Sequence, residues 1–255
     1  MSTLKGALKE WEEREGQRPV DAEVIKLCGW LPPIEKMDAQ ALSHLKKCKS
    51  LSLSTNNISN IGRIDGMESL EVLSLGRNTL TKLDNTDSMT NLRQLWLSFN
   101  KIDNLVGIEK LKNLRTLYMS NNRLSDWQEI DRLRYLPNLT DLSLSSNPIE
   151  VITREQGGNW RVEVIKRLPK LKIFDGVNVT QEELYNAKAS RSNITSPKST
   201  LVSPKSTVVS PKSNQLSPSS PSEIVQAHMD ESDDTIRKSV HFSPSELNQN
   251  IHQSV

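Results

Sequence analysis

His44 and Cys48 stand four residues apart, a spacing that sets two metal-ligating side chains on one helix face. Cys48 also falls on an apolar position of a repeated frame, so burial in a core accounts for it better than ligation. Cys28 and Cys48 form neither a close pair nor a metal spacing, which suits a reducing compartment. Asp84, Asp103 and Glu109 sit in turn-like segments without the paired carboxylate that acid–base chemistry requires. Gly157-Gly158 is an isolated pair and not a phosphate-cradling loop. No catalytic residue, metal or cofactor is assigned, and an enzyme is not the expected reading.

The next chemically able groups are amides. Asn56, Asn78, Asn100, Asn122 and Asn147 stand 22, 22, 22 and 25 residues apart. Each lies in the frame L-x-x-L-x-L-x-x-N-x-I/L, as in LEVLSLGRNTL (70–80) and LRQLWLSFNKI (92–102). An amide both donates and accepts, so it can satisfy backbone groups of a turn that water does not reach. Replacing Asn100 by Leu is expected to cost about 1–3 kcal/mol.

The frame around these asparagines is the leucine-rich repeat signature, and it predicts an α/β right-handed solenoid of five to six repeats. Each repeat opens with a short strand whose alternate residues face opposite sides. Leu51 and Leu53, Leu73 and Leu75, Leu95 and Leu97, Leu117 and Met119, Leu142 and Leu144 should point inward. The outward row on the concave face is mostly small and hydroxylated, with Trp96 and Tyr118 side by side at its centre. Val72 and Gln94 flank them, and Phe99 and Arg77 stand at strand exits. The core requires no aromatic there, and aromatics with arginine amid small residues make a protein-binding surface.

A solenoid exposes leucines at both ends and needs caps. Residues 1–47 read as an N-terminal helical cap and half-repeat, 48–150 as the repeats and 151–190 as a C-terminal cap. Within the last, NWRVEVIKRLPKLKIFDG offers a helix and then a final strand near Leu171 and Ile173. Residues 191–255 read as a disordered Ser/Pro-rich tail, too poor in apolar surface to offset its ordering entropy. A net charge of +2 gives no general pull toward nucleic acid or membrane. No apolar run approaches the roughly 20 residues a bilayer needs, so a soluble intracellular chain is expected.

Beyond the repeats, ALKEWEEREGQRPVDAEVIKL, LPPIEKMDAQALSHLKKC, LYMSNNRLSDWQEI and NWRVEVIKRLPKLKIFDG resemble the leucine-rich light chain 1 family of outer-arm axonemal dynein. The likeness spans about residues 4–185. It implies a non-catalytic subunit on the motor region of a dynein heavy chain, near the microtubule-binding stalk tip. It implies a place in the cytoplasm and cytoskeleton, in the axoneme of a cilium or flagellum, and modulation of motility, with tubulin a further candidate contact. In the family an apolar patch on the sheet face engages the heavy chain, in agreement with Trp96, Tyr118 and Phe99. Its basic segment after the Asp-Gly turn has one counterpart here, Arg191. Two competing classes are a scaffold regulating a type 1 serine/threonine phosphatase and an RNA-particle protein, the latter disfavoured by sparse basic charge on the concave strands.

The tail carries its own chemistry. Ser196, Ser203 and Ser210 each begin a Ser-Pro-Lys-Ser run seven residues after the last, and Ser217-Pro218 keeps the register. Proline-directed phosphorylation would add about −1.5 to −2 of charge per site to a basic segment. Lys238-Ser239-Val240-His241-Phe242 resembles the docking motif of type 1 phosphatase partners, with Lys238, Val240 and Phe242 as anchors. A peptide of residues 223–255 should then capture that phosphatase, and the Val240→Ala/Phe242→Ala peptide should not. Equal capture by both peptides would dispose of the motif.

Overall fold

A computed structural model of the chain describes residues 3–192. The tail residues Ser196, Ser203, Ser210, Ser217, Lys238, Val240 and Phe242 lie outside the described residues, as does the side chain of Arg191. The chain begins with helix α1 (Leu4–Glu15), whose first turn is capped by the Thr3 side chain and whose end is set by Gly16 at φ 66°. A left-handed residue costs glycine nothing, so the helix stops there. Leu4, Ala7, Leu8 and Trp11 form its buried face.

The strands are short and follow in order: β1 (Val24–Lys26), β2 (Ser50–Ser52), β3 (Val72–Ser74), β4 (Gln94–Trp96), β5 (Thr116–Tyr118), β6 (Asp141–Ser143), β7 (Ile173–Phe174) and β8 (Val177–Asn178). They form one sheet in sequence order, parallel through β7, with β8 antiparallel at the edge. Parallel neighbours need a return connection: α2 (Ala39–Ser43) after β1, an irregular arm after β2, single 3-10 turns after β3 and β4, two further helices after β6, and, after β5, α3 (Trp127–Arg132) with the turn Leu133–Tyr135. The arm after β5 falls in WQEIDRLRYLPNL, where the asparagine spacing widens from 22 to 25 residues. Register aligns Leu51, Leu73, Leu95, Leu117 and Leu142 across the sheet, all 0% exposed. Within segment 1–47, β1 adds a strand to the sheet before the first asparagine frame.

The asparagines run as a ladder through the core. Asn78 accepts from Ile58 N at 2.9 Å and donates to Leu53 O and Leu75 O, both at 3.0 Å. Asn100 repeats this with Leu80 N, Leu75 O and Leu97 O, and Asn122 with Ile102 N, Leu97 O and Met119 O. Each amide thus ties its own strand to the one before it. The residue preceding each asparagine, Thr55, Arg77, Phe99, Asn121 and Ser146, lies at positive φ between 54° and 60°. That left-handed turn costs about 1–2 kcal/mol for a residue with a side chain, and the paired amides hold it in place.

Helices α4 (Pro148–Glu155) and α5 (Trp160–Arg167), with α6 (Gln181–Ser192), close the far end. Past the last asparagine, Asp175 caps the sheet with its side chain: Oδ1 accepts from Leu144 N at 2.7 Å and Ser145 N at 3.0 Å, whereas the equivalent Met119 N one strand earlier bonds to the backbone carbonyl of Ser143. Oδ2 accepts from Trp160 Nε1 at 3.2 Å. Thr180 and Glu183 form a reciprocal capping pair that starts α6. Arg161 clamps that helix, donating to Phe174 O and Asn178 O while pairing with Glu183.

The Glu183 carboxyl is pushed down to about 2 from an ordinary 4.5, first by the Arg161 hydrogen bond. A carboxyl depressed by folding stabilises above its unfolded value and loses that contribution as pH falls through the folded one. The attachment of α6 should therefore weaken as pH drops from 4.5 toward 2. Arg161→Ala should release α6 already at neutral pH, read as amide exchange confined to residues 181–192. Unchanged protection there would show that packing alone holds the helix.

Candidate functional site

On the open face of β3–β6 the register sets Ser74, Trp96, Tyr118 and Ser143 in one row, and Val72, Gln94, Thr116 and Asp141 in the row beside it. Trp96 and Tyr118 are stacked, with centroids 6.2 Å apart and planes 18° from parallel. Both rings are half-buried and do not stand free in water, and Ser74 beside the indole is only 6% exposed. The outward place expected for these rings does not leave them fully solvated: the rings cover each other and the small residues next to them. Val72 and Gln94 are likewise half-buried.

Hydrogen bonding on this face is incomplete. Tyr118 Oη donates to Asp141 Oδ2 at 2.9 Å. Burial first, and then the nearby Asp141 charge, push the Tyr118 hydroxyl up to about 12, so it remains a donor. Burial also raises the Asp141 carboxyl above its usual range, against the Tyr118 hydrogen bond that lowers it. Trp96 Nε1 and Asp141 Oδ1 are buried and have no hydrogen-bond partner. An unpaired buried group costs about 1–3 kcal/mol. Around them serines pair among themselves, Ser54 with Ser74 at 2.6 Å and Ser145 with Ser120 at 2.9 Å.

At the strand exits Phe99 is 46% exposed, and the Arg77 guanidinium carbon lies 4.3 Å from its ring centroid. The fold fixes the positive φ at both positions but does not call for bulk there, since Thr55 and Ser146 occupy the same turn. A guanidinium on an exposed ring makes a flat, amphipathic ridge beside the stacked pair.

His44 and Cys48 are not brought together as a ligand pair. His44 is exposed and its Nδ1 meets Gln40 O at 2.7 Å, whereas Cys48 is fully buried, its thiol donating to Ser50 O and pushed up to about 11 by burial. Sequence reasoning missed Asp141 as a site residue, although its place in the outward row beside Tyr118 was there to be read. It also took Asp175 for a turn residue only.

Repeat geometry, asparagine ladder and sheet face define a class: the chain belongs to the leucine-rich repeat family, whose model matches residues 55–198. More narrowly, it belongs with the dynein axonemal light chain 1 proteins. It is 48% identical to that of Rattus norvegicus over 183 residues, 71% of this chain and 95% of the relative. To that of Chlamydomonas reinhardtii it is 49% identical over 193 residues, 74% of this chain and 97% of the relative. Among solved structures, a chain of the Drosophila melanogaster SNF/U2A′ complex is 20% identical at a TM-score of 0.48, covering 74% of this chain and 92% of that one. That likeness is too loose to bear on function.

Proposed function

We propose that this chain is a non-catalytic axonemal dynein light chain that docks on the motor or stalk region of a dynein heavy chain through the open face of β3–β6. There it modulates ciliary or flagellar beating. The observation that carries this is the stacked Trp96–Tyr118 pair with unsatisfied polar atoms beside it, on a surface the core does not need. Large aromatics in small-residue surroundings with polar capacity unspent are what interface centres contain. Near-full-length alignment with relatives that are named axonemal dynein light chains supports the choice of partner.

The test is expression of the tagged chain in a ciliated or flagellated cell, detergent extraction of the axoneme and recovery of the tag. A dynein heavy chain should co-purify stoichiometrically, and the tag should lie along the axoneme. A diffuse cytosolic chain that brings down a phosphatase catalytic subunit instead would favour the scaffold reading. Direct contact with tubulin and recruitment of a phosphatase by Lys238, Val240 and Phe242 are further proposals that the same material can address.

A further inference from the structure

Trp96, Tyr118 and Asp141 are parts of an arrangement that the chain completes elsewhere with its own arginine. Beside α3 the Arg167 guanidinium carbon lies 3.8 Å from the Trp127 ring centroid, and Arg167 Nε is 3.6 Å from Asp131. An indole, a carboxylate and a guanidinium meet there. On the open face the aromatic pair and the carboxylate are present and the cation is missing.

Among the described residues, no lysine or arginine stands on the outward rows of β2–β6. Lys26 is on β1, five strands from Asp141 in sheet order, about 24 Å at ordinary strand spacing. Asp175, the other carboxylate at this end, has both oxygens engaged by Leu144 N, Ser145 N and Trp160 Nε1. Asp141 Oδ1 is buried and without a hydrogen-bond partner, as is Asp131 Oδ1, but Asp131 Oδ1 has Arg134 and Arg167 within ion-pair distance at 3.3 and 3.6 Å, whereas among the described residues no such ion pair reaches Asp141.

We propose that the partner seated on this face supplies an arginine whose guanidinium lies on the Trp96–Tyr118 rings and pairs with the Asp141 carboxylate. The proposal rests on the docking reading above and sharpens it. Guanidinium suits the place better than ammonium: it is planar, stacks on rings, is weakly hydrated and donates in a fork that matches a carboxylate. Terminal rotation of an aspartate is soft, so Oδ1 turns toward an arriving donor at little cost. Tyr118 holds the other oxygen meanwhile.

The probe is N-acetyl-arginine methylamide, titrated into the ¹⁵N-labelled full chain while the Trp96 indole resonance, assigned with Trp96→Phe, is followed. A saturable shift is expected. The uncharged citrulline counterpart should give none, and Asp141→Asn, which keeps the Tyr118 hydrogen bond, should weaken the response about tenfold, the loss of one charge-assisted contact. A silent resonance, an equal response to citrulline, or an unchanged response in Asp141→Asn would each overturn the proposal. Heavy-chain binding by Trp96→Ala/Tyr118→Ala is measured separately. If that variant loses the heavy chain while the resonance stays silent, the docking face stands and the arginine falls. If it still binds the heavy chain, the docking face itself falls.

Discussion

Trp96→Ala combined with Tyr118→Ala is expected to abolish binding to a recombinant heavy-chain stalk fragment while leaving the fold nearly intact. A central aromatic hot spot of an interface accounts for about 2 kcal/mol or more, so the pair should cost about a thousandfold in Kd. Stability responds differently because the two rings lie outside the leucine core. Leu95, Leu97, Leu117 and Met119, which flank them along the same strands, are all 0% exposed and point the other way. The double change gives up one stacked pair, about 0.5–1.5 kcal/mol, and uncaps Asp141 Oδ2 on a face where water then replaces Tyr118. A melting shift of only a few degrees follows for a solenoid of this size. Leu95→Ala is the contrasting control: it should lose about 2–5 kcal/mol of stability and bind in proportion to the folded fraction. Retention of the stalk fragment by the double variant would remove the open face from the function altogether.

The sequence made the solenoid readable because periodicity is a property of residue order alone. Twenty-two-residue spacing of asparagine within a leucine frame leaves little freedom in strand position or in which side is inward. The same logic placed Trp96 and Tyr118 next to each other on the outward side, and they stack there. What sequence order did not reveal is how far those rings cover themselves, since stacking depends on rotamers and on the neighbouring serines. Asp141 was passed over for a related reason: its meaning comes from Tyr118 Oη, 23 residues away in the chain. Asp175 lies outside the asparagine frame, and its role was hidden because its carboxylate accepts Leu144 N and Ser145 N, 31 and 30 residues earlier in the chain. Capping of α6 by Thr180 and Glu183 was legible as Ser/Thr-x-x-Glu. Its clamping by Arg161 was not, because the guanidinium reaches backbone oxygens and a carboxylate that only the fold brings near.

Asn100→Leu should be among the most destabilising single changes in the repeats, and its magnitude can be assembled from the ladder. The side chain is 8% exposed and makes three bonds, to Leu80 N at 2.9 Å, Leu75 O at 3.0 Å and Leu97 O at 2.9 Å. Leucine removes all three, but not all three groups are orphaned. Leu75 O keeps the Asn78 amide and Leu97 O keeps the Asn122 amide. Leu80 N loses its partner outright. One orphaned buried donor at about 1–3 kcal/mol, with two weakened carbonyls at about 0.5–1.5 kcal/mol each, gives a loss of about 2–6 kcal/mol, larger than the single-group expectation from sequence. Denaturant unfolding of the variant measures it, and a loss below about 1 kcal/mol would mean that the turn relaxes and the ladder is not what holds it. Asn100→Asp separates the two roles of the amide. It keeps an acceptor for Leu80 N but sets a carboxylate against two carbonyl oxygens, so its pKa should rise in the folded state. Such a group destabilises at neutral pH, and the defect shrinks as pH falls and the carboxyl gains a proton that it can donate. Asn100→Leu carries no such group, so its loss should not ease in the same way on acidification. If the two variants respond alike to pH, the donor half of the ladder contributes nothing.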